Sequence, residues 1–186
     1  EKGVDINSHV EDDWGPSSSI RSMSPLGIGP ILKDRSAVNI GVVSCMSYLD
    51  DKGFGPSLVH RNGVTRARMF QEITIAQQTD CSDDAALAAA LDQLEATLNS
   101  PLGNMKGDYC VGQYTLADCA WAGVCQVATN MCKGTAVSSR SAVNTWFAAV
   151  QSHPSTSKEA INPFSCLSTK ADHDGNTMRD VRINTA

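Results

Sequence analysis

Hydrophobic residues recur at helical spacing over most of the chain beyond residue 60. Leu87, Leu91, Leu94 and Leu98 fall on one stripe, and Ser82-Asp83-Asp84 in front of them supplies helix-opening side chains. Upstream, Met69, Ile73 and Ala76 stand at i, i+4 and i+7, with Asn62 or Thr65 available as a cap. Downstream, Gly112-Gln113-Tyr114-Thr115-Leu116-Ala117-Asp118 leads into a run from Cys119 to Ala128 that is apolar nearly all round. Thr115 and Asp118 have the spacing of a capping box, which satisfies two orphan amide donors and sets a carboxylate at the positive end of the helix dipole. A helix without a polar face belongs in the middle of a core. The pattern predicts that it stops at Lys133-Gly134, a cation followed by a residue that turns left-handed without cost. Val143, Phe147 and Val150 then share one face of a helix over 138–152 that His153-Pro154 closes. These segments predict an all-α region built around the capped helix.

The first 53 residues have a different rhythm. Val4, Ile6 and Val10 suit a short strand, which Glu11-Asp12-Asp13-Trp14-Gly15-Pro16 interrupts. Ser24 to Asp34 is a turn leading into a short apolar strand, entered through Pro30, a residue with no amide to give to a ladder. The Gly29-Pro30 bond is a candidate for cis geometry. Ala37 and Val38 suit a second strand. Val42, Cys45, Met46 and Leu49 follow helical spacing up to Lys52-Gly53. Gly53-Phe54-Gly55-Pro56 reads as a linker. The expected organisation is an α/β segment over 1–53, a helical domain over 54–160 and a polar tail over 161–186, extended or held by a partner.

Composition narrows the class of function. The chain has 186 residues, a net charge of -5 and 19% charged residues. That length suits one compact domain or two small ones. Mild acidity without a basic stripe argues against nucleic acid as a partner, and no apolar run is long enough to span a bilayer. Glu1 is preceded by no Met or leader, so a processed or incomplete start is expected. Seven cysteines without paired short spacing suit free buried thiols in a reducing intracellular compartment. Cys125 and Cys132 lie about two helical turns apart, roughly 10 Å, too far for a disulfide or a shared zinc ion. Cys45 and the scattered His9, His60, His153 and His173 read as packing and surface residues. No metal site is expected.

In this order and at these intervals, the segments resemble the glutathione transferase family over Glu1 to about Ala160. Ser24-Pro25-Leu26-Gly27-Ile28-Gly29-Pro30-Ile31-Leu32 is similar to the family's Asn-Pro-x-Gly-x-Val-Pro-x-Leu segment, whose proline is cis. Tyr48-Leu49-Asp50-Asp51-Lys52 resembles the end of the helix after its Glu-Ser signature, Thr115-Leu116-Ala117-Asp118 its buried capping box, and Trp146-Phe147 with His153-Pro154 its later helix. The resemblance implies an α+β fold: an incomplete thioredoxin-like N-terminal half followed by an all-α glutathione-transferase-type domain.

The resemblance also locates a site. Family members hold the γ-glutamyl end of glutathione with an acidic residue and a serine. Counting back from Tyr48-Leu49, those positions are Gly41 and Val42, which offer neither a carboxylate nor a hydroxyl. The residue before the proline, which bonds the peptide through its backbone, is Gly29. Gly29, Pro30, Gly41 and Val42 are thus expected to form a vestigial glutathione site, and no catalytic residue is identified. The expectation is a non-catalytic structural or accessory subunit of a larger assembly. It would need no cofactor beyond weak glutathione, and a protein partner would engage it through the tail after Ser155 or as a homodimer. The alternatives are an active transferase whose first strand and helix precede Glu1, and a module that binds an apolar ligand.

Overall fold

The structure is a computed structural model and describes residues 7–9, 22–24, 29–53, 55–99, 107–154 and 180–182. The chain divides into two compact units, Glu1–Pro56 with Thr169–Ala186, and Ser57–Ser168.

In the first unit, β1 (Asn7–His9) pairs antiparallel with β4 (Asp180–Arg182), so part of the polar tail is a strand. Strands β2 (Ile31–Asp34) and β3 (Ala37–Ile40) form an antiparallel hairpin with Ile31 opposite Ile40 and Asp34 opposite Ala37. Arg35, at φ 53°, makes the left-handed step in the turn between them. Helix α1 (Val42–Lys52) follows at once and packs against β3. The strand expected near Val4–Val10 is thereby placed at Asn7–His9, while the polar run from Glu11 lies outside the described residues.

The second unit is helical: α2 (Gly63–Gln78), α3 (Asp84–Asn99), α4 (Leu116–Asn130), α5 (Gly134–Ser138) and α6 (Ser141–Ser152). Asn62 is the cap of α2; its Oδ1 accepts the Val64 and Thr65 amides at 2.9 and 3.2 Å. Asp83 does the same for α3 through Ala85 and Ala86. Helix α4 is the central one, packed against α2, α5 and α6, with Trp121, Cys125 and Ala128 fully buried. Met69, Ile73 and Ala76 of α2, Leu87, Leu91 and Leu94 of α3, and Val143, Trp146 and Val150 of α6 complete the core. Each such leucine contributes about 1.5–3 kcal/mol by leaving water.

The end of α4 differs from expectation. The left-handed residue is Cys132, at φ 61°, and Gly134 instead opens α5. The Cys132 and Lys133 amides bond back to Thr129 and Ala128 at 3.0 and 2.8 Å, which satisfies the last carbonyls of the helix. Lys133 reaches away from α4: its Nζ donates to the Cys81 and Ser82 carbonyls at 2.9 and 2.7 Å and pairs with Asp84 at 2.6 Å. The ammonium therefore fastens the loop before α3 instead of the α4 terminus.

Helix α6 has a cap from a distant part of the chain. Glu95, on α3, accepts the Ala142 and Val143 amides at 3.1 and 2.8 Å. Burial would raise the Glu95 carboxyl, but the bonds from those two amides outweigh it and hold the group below the ordinary glutamate range. A carboxyl depressed on folding stabilises the native state above its unfolded pKa and loses that contribution as pH falls through its folded one. The stability gap between the wild type and Glu95→Gln is expected to narrow as urea titrations move from pH 6 to pH 3. A gap independent of pH would remove the charge from the cap. Among the described residues, no helix is long and apolar enough to cross a membrane.

Candidate functional site

The hairpin register places side by side the four residues expected of a vestigial glutathione site. Because Ile31 faces Ile40, the flanking Pro30 and Gly41 meet, and the Gly41 amide donates to the Pro30 carbonyl at 2.8 Å. Gly29-Pro30 is cis. Gly41 is also the N-cap of α1 and Val42 its first residue, so all four positions gather where the hairpin ends and the helix starts. The first amides of a helix have no partner within it, the usual arrangement for receiving a carboxylate.

The side chains that would orient such a ligand are missing from these positions. Gly41 has φ 85° and ψ 159°, a conformation that is essentially glycine's alone, and α1 has no side-chain cap. Val42 offers only methyl groups. Neither position carries a carboxylate or a hydroxyl.

Cys45 lies one turn into α1 and is buried. Its thiol donates to the Pro30 and Asn39 carbonyls at 3.5 and 3.4 Å, and burial pushes it above the ordinary thiol value, against a bond from the Leu32 backbone. Through these two contacts Cys45 braces the start of α1 against both strands of the hairpin. The Asn39 Nδ2 is buried without a hydrogen-bond partner among the described residues, a cost of about 1–3 kcal/mol.

At the other end of the hairpin is a cluster that the sequence pattern did not reveal. The Tyr48 hydroxyl donates to Asp34 at 2.6 Å, and Lys52 pairs with the same carboxylate at 3.2 Å while lying over the Tyr48 ring. The Tyr48 bond first, then Lys52, holds the Asp34 carboxyl below the usual range. Tyr48 and Lys52 stand at i and i+4, but Asp34 meets them only because the β2–β3 turn folds back onto α1. Asp34 and Tyr48 are half-buried and Lys52 is exposed, and the cluster clasps helix to hairpin.

In the second unit, Thr115 and Asp118 close their capping box. The Asp118 carboxylate accepts the Thr115 amide at 2.8 Å and its hydroxyl at 3.1 Å through Oδ2. Through Oδ1 it accepts the Cys110 amide at 2.9 Å and the Trp146 indole at 2.8 Å. Burial pushes the Asp118 carboxyl upward, and the donors from Cys110, Trp146 and Thr115 oppose that shift. A second buried carboxylate, Glu72 on α2, accepts the Trp121 indole at 3.1 Å and the Thr97 hydroxyl at 3.3 Å, and pairs with Arg68 at 2.8 Å. Both are knots of the core. The described cysteines are free, and no metal-ligating group of histidine, cysteine and carboxylate side chains occurs among the described residues.

No family model matches the sequence, and no curated protein does either. Solved structures do match. A possible glutathione S-transferase from Rhodopseudomonas palustris is 26% identical, with a TM-score of 0.58 over 72% of this chain and 70% of that one. A bacterial maleylpyruvate isomerase, a zeta-class glutathione S-transferase, is 18% identical, with a TM-score of 0.59 over 74% of this chain and 75% of that one. Maleylacetoacetate isomerase from Methylobacterium extorquens, solved with malonate and glutathione bound, is 16% identical, with a TM-score of 0.61 over 74% of each chain. The chain has a glutathione-transferase-like fold, with a partial thioredoxin-like half and a helical domain.

Proposed function

We propose that this chain is a glutathione-transferase-fold protein whose glutathione site has lost its side-chain clamp, and that it serves as a structural or accessory subunit. The observation that carries the reading is Gly41. Its backbone sits where only glycine is comfortable, at the position the resemblance gives to an acidic residue, and Val42 replaces the adjoining hydroxyl. The remaining backbone donors favour a carboxylate but cannot set its orientation, so glutathione binding is weak. A protein partner, through the tail or through a second copy of the chain, then carries the role.

Titration calorimetry with glutathione tests the first part. The expected result is a millimolar dissociation constant or no heat; micromolar binding would overturn the reading. Gly41→Glu is expected to cost about 1–3 kcal/mol of stability through its backbone and Val42→Ser to leave the fold intact, both read by urea unfolding. A Gly41→Glu protein as stable as the wild type would show that the backbone is not committed to glycine.

A second reading is an active transferase or isomerase whose nucleophile-activating residue lies in a segment outside the sequence. It is favoured by the similar structures themselves, named as a possible transferase and two isomerases. Conjugation of glutathione to an aryl halide by the longest native form of the chain separates the two readings: turnover supports the second, and its absence together with millimolar binding supports the first.

A further inference from the structure

We draw no further inference here: the strongest candidate, the outer face of the β2–β3 hairpin where Ile31, Val38 and Ile40 surround Lys33, is an apolar patch for which nothing in the structure shows what covers it.

Discussion

Replacing Asp118 with alanine is expected to lower the stability of the helical unit by about 4 kcal/mol. Its carboxylate gathers four donors: the Cys110 amide, the Thr115 amide and hydroxyl, and the Trp146 indole. All three donor residues are buried. Alanine would strand two amides and an indole N–H away from water, each at about 1–3 kcal/mol, and would remove the anchor that joins the α4 start to α6 and to the loop at Cys110. Asp118→Asn is the informative companion. Its oxygen can still serve Cys110 and Trp146, but its NH₂ would face the Thr115 amide, donor against donor, so an intermediate loss is expected. Urea unfolding of the three proteins checks the order, and a loss below about 1 kcal/mol for alanine would show that the network is incidental. The charge carries an opposite pH sign to that of Glu95. A carboxyl raised by burial favours the native state at low pH and withdraws that help as pH rises between its unfolded and folded values.

Glu72→Ala is the second large effect, expected at about 3 kcal/mol. Glu72 is wholly buried in α2 yet binds the Trp121 indole of the central helix, the Thr97 hydroxyl of α3 and Arg68 one turn before it. Arg68 is partly exposed and can turn to solvent, so the loss falls chiefly on the buried Trp121 indole, stripped of its acceptor, and on the volume left empty. Glu72→Gln keeps the size and one acceptor and is expected to lose about half as much. Equilibrium unfolding followed by tryptophan fluorescence reads both variants. If alanine and glutamine lose equally, the charge, and neither the volume nor the indole's acceptor, governs the site.

These two carboxylates show where the sequence was legible and where it was not. The capping half of the Asp118 role is written in local spacing, Thr115 to Asp118 before an apolar run, whereas its bonds to the Cys110 amide and the Trp146 indole are not. The leucine stripe of α3 and the Met69-Ile73-Ala76 face of α2 were similarly readable, because periodicity reports which side of a helix leaves water. Glu72 gave no such signal. It sits inside the apolar face of α2, and only the arrival of Trp121 from another helix makes its burial tolerable. The stop of α4 was misread for a related reason: Lys133 and Gly134 look like a terminus, but Lys133 is drawn off to the carbonyls of Cys81 and Ser82, and the chain turns at Cys132 instead. The four positions that the resemblance assigns to a glutathione site are brought side by side by the hairpin register, which the sequence pattern does not give. The committed backbone of Gly41 became visible only in the folded chain.

The acceptor that Glu95 lends to α6 has a consequence for the order in which the unit assembles. Helix α6 begins at Ser141 behind Arg140, an N-cap residue that provides no side-chain bond, and its twelve residues are too few to hold together alone in water. The donors at its start are answered by a side chain 47 residues earlier in the chain. Synthesis therefore delivers the acceptor first and the helix later, and α6 acquires its first turn by docking onto α3 rather than by winding up beforehand. A fragment that begins beyond α3 therefore lacks the acceptor for the first α6 amides and keeps only the hold that Asp118 of α4 has on Trp146.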